Sequence, residues 1–398
     1  MDKILRCKNI EEAKQELKKI NASSQGVSVM APKFMHFALK LEKMNVGAAN
    51  ILKQEMLRIG GDAAISRGVV EGEIKNSDVI LLGALSKIET LVSRLKFYQI
   101  FDLPVIRKRI LRCLEISPEK LSLTVANQVI SLSAPKIMGI LNVTEDSFYD
   151  GGLYNSTENA VLQAKKMLED GADFIDIGGE STRPGAQPID SKTECERVIP
   201  IIREIRKWSK IPISIDTSKA EVAGKAIEAG ADIINDISAL RFDDKMLEVL
   251  QKNPHVPVIL MHMQGTPQTM QEAPFYNDTI DEIISFFEER ISFCEKNGVN
   301  RERIILDPGI GFGKRQKDNL LILKKLADFH IFQLPVLLGT SRKSFINGIY
   351  PSPAQNRLEG SLATTALAYQ NHVQIIRVHD VLEHKRMIQT LQAIDEVL

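Results

Sequence analysis

Cysteine is scarce in this 398-residue chain: Cys7, Cys113, Cys195 and Cys294 lie far apart and form no C-x-x-C pair. That spacing argues against a disulfide framework or a thiolate zinc site and suits a reducing compartment, so a cytoplasmic location is expected. Net charge is missing too. Lys plus Arg and Asp plus Glu both number 51, leaving no global field to draw the chain to nucleic acid or a membrane surface. No apolar run approaches the ~20 residues of a membrane span, and the opening MDKILRCKNIEEAKQELKK has no apolar segment of the signal-peptide kind. Neither nucleic acid nor membrane is therefore an expected partner, and any anion site has to be local. What is present, 44% hydrophobic and 26% charged, is the profile of an ordinary globular protein, at a length that suggests two domains.

From about Pro135 the chain alternates steadily between short β-branched runs and amphipathic helices. The runs are KIMGILNV (136–143), FIDIGG (174–179), PISID (212–216), IIND (233–236), VILMHM (258–263), IILDPG (304–309), PVLLGT (335–340) and IIRVHD (375–380). Each is nearly continuous in apolar residues, as strands covered on both faces should be. Between them lie helical patterns such as ENAVLQAKKMLEDGA and KAEVAGKAIEAGA, whose Gly-Ala ends suit short αβ loops. Eight such units in about 260 residues predict a (β/α)8 TIM barrel. An open doubly wound sheet competes less well, because the first unit lacks a Gly-rich dinucleotide turn.

The first hundred-odd residues predict a small α/β domain. Helical stretches (IEEAKQELKKI, HFALKLEKMNVGAANILKQEMLRIG, KIETLVSRLKFYQIF) surround one clear strand, DVILLGA (78–84). The segment LSLTVANQVISL (121–132) predicts a hairpin turning near Asn127, placed as a plug under the barrel. The boundary is expected near Ser117-Pro118, giving domains 1–118 and 119–398, the hairpin falling within 119–134.

Polar residues crowd the C-terminal ends of the predicted strands: Asn142, Asp176 with Glu180, Asp216, Asn235 with Asp236, His262, Asp307, Ser341-Arg342-Lys343, and Arg377 with His379. TIM-barrel catalytic groups cluster there, and so many desolvated polar groups need partners. Arg183, Lys343, Arg377 and His379 can gather round an anion, while Asp216, Asn235 and Asp307 can bind a flat ligand that presents donors and acceptors along one edge. A planar heterocycle carrying phosphate satisfies both. Two glycine- and proline-rich loops, 142–155 and 178–190, bring backbone near a ligand. Plainer roles fall to His262 as a structural histidine, to Asp176 and Glu180 as anchors of the second loop, and to Arg342 as a brace. Gly309, Gly311 and Gly313 lack the strand–turn–helix context of a dinucleotide fingerprint.

The blocks MGILNVTEDSF, DIGGESTRPGA, SIDTSKAEV, INDIS, LMHMQGTPQTMQ, DPGIGFGK, GTSRKS and IRVHDV follow one another as in the dihydropteroate synthase family, which residues 119–398 resemble. The resemblance implies condensation of 6-hydroxymethyl-7,8-dihydropterin diphosphate with 4-aminobenzoate. It implies pterin contacts from Asp216, Asn235, Asp307 and Lys343, with walls from Ile237, Met261, Phe312 and Gly339. Asn142, Arg183, Arg377 and His379 would hold the diphosphate, Asn142 also meeting Mg²⁺. Phe148, Thr182, Arg183, Pro184 and Ser344 would shape the aminobenzoate site. Asp216, Lys343, Arg377 and His379 would be the catalytic set, and a homodimer through barrel helices is implied. Glu145, where the family commonly has proline, and Ile310, often phenylalanine, depart from the pattern. A pterin-dependent methyltransferase and a non-catalytic pterin-binding protein are the alternatives; neither needs the diphosphate cluster from Asn142 to His379.

Overall fold

The computed structural model describes residues 2–7, 9–143, 152–181 and 186–397. The chain divides into two compact units, Met1–Ile116 and Ser117–Leu398.

In the first unit, three antiparallel strands, β1 (His36–Asn45), β2 (Asp62–Ile65) and β3 (Asn76–Ala84), lie in the order β1-β3-β2. One sheet face carries Leu41, Val79, Leu81 and Ala63, which pack with Leu52, Met56, Ile88, Leu91 and Ile110 from helices Val46–Arg58, Leu85–Leu95 and Leu103–Leu114. Residues 36–45, which the sequence pattern assigned to a helix, are therefore a strand. Helical propensity in HFALKLEKMN loses to pairing with β3, where His36 through Leu41 face Ala84 through Val79. The helix starts only at Val46, capped by the Asn45 side chain.

In the second unit, β4 (Ser122–Val125) and β5 (Gln128–Ser131) form the expected hairpin. Its turn residues, Ala126 and Asn127, both have positive φ (49° and 61°), the backbone of a tight primed turn. Eight parallel strands follow: β6 (Lys136–Asn142), β7 (Phe174–Gly178), β8 (Ile213–Asp216), β9 (Ile233–Asp236), β10 (Val258–Met261), β11 (Ile304–Asp307), β12 (Leu337–Gly339) and β13 (Ile375–Val378). They are ordered β11-β10-β9-β8-β7-β6-β13-β12, and a bridge between Leu306 and Val336 joins the two ends of the row. This is the TIM barrel.

The lowest interior layer is apolar. Met138, Phe174, Ile233, Ile259, Ile305, Leu337 and Ile375 pack together with Leu123, Val125 and Leu132 of the hairpin segment, which closes the barrel bottom. Strand side chains alternate in direction, so the residues two positions further on also point inward, one layer higher. That layer contains Asp176, Asn235, Met261, Asp307, Gly339 and Arg377. A second apolar shell between the strands and the surrounding helices holds the barrel from outside, with Ile175, Ile177, Ile201, Val222, Phe287 and Phe329 among its members.

Candidate active site

The centre of the barrel mouth is an arginine between two aspartates. Arg377 donates from Nε to Asp176 Oδ2 at 2.6 Å and from Nη2 to Asp216 Oδ2 at 2.7 Å. Asn235 Nδ2 donates to the same Asp176 oxygen at 3.1 Å. Asp176 is fully buried, and its other oxygen has no hydrogen-bond partner among the described residues. Burial opposes the charge on Arg377, but the carboxylates of Asp176 and Asp216 outweigh it and raise the guanidinium pKa above its ordinary value. Asp216 is pushed up to about 7, first by burial and further by Asp176, against the pull of Arg377.

Across the mouth, Asp307 is likewise raised by burial, with Lys343 and the Gly309 N–H opposing; that N–H reaches Asp307 Oδ1 at 2.7 Å. Lys343 is lowered to about 8, chiefly by burial and also by Arg377, while Asp307 and Asp216 favour its charge. Its Nζ donates to the Ile310 carbonyl and lies 4.5 Å from the centre of the Phe312 ring. Ile237, Met261, Met263 and Met270 form an apolar cluster against which Phe312 packs. A polar edge thus faces an apolar slot with an aromatic flank.

Asn142 ends β6 opposite Gly178, and a Cβ on Gly178 would lie 3.5 Å from Asp216 Cβ and 3.7 Å from Asn142 Oδ1. Asn142 and Asp216 thus border the same edge of the site, on either side of Gly178. His379 follows β13, its Nδ1 3.0 Å from Ser341 Oγ, which also accepts from the His379 backbone N–H at 3.2 Å. Gly339 lies opposite Arg377 in the β12–β13 register. Ser344 opens the helix Ser344–Asn347 and lines a cleft of about 330 Å³ together with Gln271, Gly311, Arg315 and Asn319. Phe148, Thr182, Arg183, Pro184 and Glu145 lie outside the described residues.

The reading of one residue changes and those of two others hold. Asp176 is no loop anchor; it orients Arg377 and Asn235 at the centre of the site. The period-2 parity it shares with Asn235, Asp307 and Arg377 was the available signal. Glu180 does anchor the second loop, accepting from the Ile189 N–H at 3.1 Å and from Lys219 Nζ at 2.5 Å, with buried Glu194 taking the same ammonium at 2.6 Å. Arg342 braces Asp380 through a two-pronged ion pair. Among the described residues no group of three or more His, Cys, Asp or Glu could hold a metal ion. The Asn142 carboxamide is an oxygen donor of the kind a hard divalent cation accepts.

Residues 138–379 match the model of the family described as pterin binding enzymes. The chain is similar to dihydropteroate synthase of Escherichia coli, with 47% identity over 264 residues, 66% of this chain and 93% of that one. A solved structure of dihydropteroate synthase from Xanthomonas albilineans in complex with 7,8-dihydropteroate is 38% identical with a TM-score of 0.63, covering 70% of this chain and all of that one. The probable bifunctional folylpolyglutamate synthase/dihydropteroate synthase of Halobacterium salinarum is 35% identical over 390 residues, 97% of this chain and 46% of that one. That last match is longer than the whole barrel unit and so takes in the N-terminal unit as well.

Proposed function

The chain belongs to the dihydropteroate synthase family of pterin-binding enzymes, and from that membership we propose that it condenses 6-hydroxymethyl-7,8-dihydropterin diphosphate with 4-aminobenzoate, a transferase step of folate biosynthesis. The observation that carries this reading is the polar ring of buried Asp176, Asn235 and Asp307 with partly buried Arg377, Asp216 and Lys343 around a slot walled by Met261, Ile237 and Phe312. A pterin presents amide and amine donors on one edge and carbonyl and ring-nitrogen acceptors beside them. Asp216 and Asp307 match the donors, and the Lys343 ammonium matches the acceptors. A missing partner would leave one of these groups buried and unpaired, so the site rejects rings of other polarity.

Two bonds, to Asp176 and Asp216, use two of the five N–H groups of Arg377; the remaining donors and the His379 imidazole serve the diphosphate, together with Asn142. In the reaction the methylene–oxygen bond breaks and its electron pair leaves with diphosphate. The aniline nitrogen of 4-aminobenzoate supplies the pair for the new carbon–nitrogen bond and then releases a proton. Arg377 stabilises the charge that grows on the leaving oxygen, and Asp216 offsets electron deficiency at the methylene. Bound Mg²⁺ would neutralise diphosphate charge, with Asn142 as its protein oxygen. Arg183 and His379 complete the diphosphate set, and Phe148, Thr182, Pro184 and Ser344 the aminobenzoate rim. The same proposal includes a cytoplasmic homodimer, in keeping with the reduced, scattered cysteines and the family resemblance.

Incubating the purified chain with pterin diphosphate, 4-aminobenzoate and Mg²⁺ should release diphosphate only when both organic substrates are present. Absence of release under those conditions, with pterin still bound, would mark a binding protein instead.

A further inference from the structure

Lys314 follows the glycine-rich segment Gly309–Gly313 and has no role in the reaction as described above. Its ammonium is buried. Nζ lies 3.1 Å from the His262 carbonyl, 3.0 Å from the Phe312 carbonyl and 3.0 Å from His262 Nδ1. An ammonium has three N–H donors and no lone pair, and three acceptors surround it. If the shared proton resides on the histidine instead, a neutral amine donates to the two carbonyls and accepts from Nδ1–H. The three contacts hold either way. Burial lowers the pKa of Lys314 well below the usual lysine range, with Lys343 adding to the shift and Asp307 and Asp318 opposing it. It also lowers that of His262, with Lys314 and Arg241 in support.

The two carbonyls belong to different walls of the slot. His262 follows Met261, and Phe312 is itself the aromatic flank. The backbone ladder between these segments ends with His262 N–H donating to the Asp307 carbonyl at 2.9 Å. Beyond that point the chains stay close because glycine allows it. A Cβ at Gly309 (φ +68°) would sit 2.1 Å from the His262 carbonyl oxygen, and one at Gly313 (φ +60°) 2.4 Å from that of Gln264. Tyr276 Oη and Gln271 Nε2 hold the carbonyls of Gly313 and Gly311 at 2.7 and 2.6 Å; Tyr276 also meets the His262 ring in a tilted contact, centroids 6.0 Å apart, but neither side chain hydrogen-bonds the His262 carbonyl.

Resting on the pterin reading above, we infer that Lys314 is a positioning residue that fastens the Met261 wall to the Phe312 wall and so sets the width of the pterin slot. It touches no reacting atom. Its loss should widen or loosen the slot and be felt by the pterin, while 4-aminobenzoate, held at the rim by other residues, is little affected.

The test compares full-length wild type, K314M and H262L by equilibrium binding of the pterin diphosphate and by steady-state KM for each substrate. Losing the donor to two wall carbonyls should weaken pterin binding about tenfold or more in K314M, with the aminobenzoate KM within about twofold of wild type. H262L removes one of three contacts and should weaken pterin by about threefold. Pterin affinity unchanged in folded K314M, or pterin and aminobenzoate constants rising together, would overturn the assignment. If K314M does not fold, H262L decides alone, and wild-type pterin affinity in it overturns the assignment. Wild-type protein that binds no pterin would strike the functional reading itself, a result distinct from either.

Discussion

Asp216 and Lys343 are the residues whose protonation should be visible in turnover. Asp216 ionises near 7 in the folded chain, and Lys343 loses its proton near 8. If catalysis needs the carboxylate and the ammonium together, kcat/KM for the pterin should rise as pH climbs through about 7 and fall again above about 8. Asp216→Asn should remove the acid limb and lower kcat by roughly a hundredfold with folding intact. Wild-type kcat in that variant would deny the carboxylate any charge role. Stability follows the same titration. Because the folded-state value of Asp216 is raised from 3.8, its contribution is fully present below about pH 4 and is lost as pH rises through about 7. Urea midpoints of Asp216→Asn should therefore decline less than those of wild type across that window. Asp307, also raised by burial, belongs to the same ring, so the two limbs describe the cluster rather than isolated groups.

At the level of elements, the hairpin β4–β5 and the barrel strands divide stability from chemistry. Leu123 lies in the apolar layer with Ile233, Ile259 and Ile375, one layer below the polar ring. Leu123→Ala should cost about 2–5 kcal/mol of stability, read as a lower denaturant midpoint, with pterin KM unchanged within about twofold. A large KM effect would mean that the bottom layer transmits strain to the mouth. These elements were legible in sequence because their patterns are local: eight apolar runs, Gly171 and Gly230 at positive φ after their helices, and a turn at Asn127. Strand β1 was not legible, because HFALKLEKMN takes its conformation from a partner about 40 residues away in sequence. The Lys314 staple was hidden for the same reason: its acceptors on His262 lie 52 residues off.

On the scale of the whole molecule, the family match lies wholly within Ser117–Leu398, and 264 aligned residues make up 93% of the Escherichia coli relative. The barrel should therefore suffice for the chemistry. A chain of residues 117–398 is expected to fold and to retain turnover within about threefold, its mass by light scattering testing the homodimer at the same time. Loss of turnover in a folded truncation would give the N-terminal unit a direct part, and the Halobacterium relative shows that this unit also accompanies the barrel elsewhere. The sequence by itself determined the alternation of strand and helix, the hairpin, and most residues of the polar ring, since strand ends, apolar periodicity and ordered motifs are properties of neighbouring residues. Only the tertiary structure decided that Asp176 stands between Arg377 and Asn235, that Glu180 serves the second loop through Lys219, and that Lys314 ties two walls together. Each depends on side chains from separate strands converging in one low-dielectric space, where burial decides which polar groups must find each other.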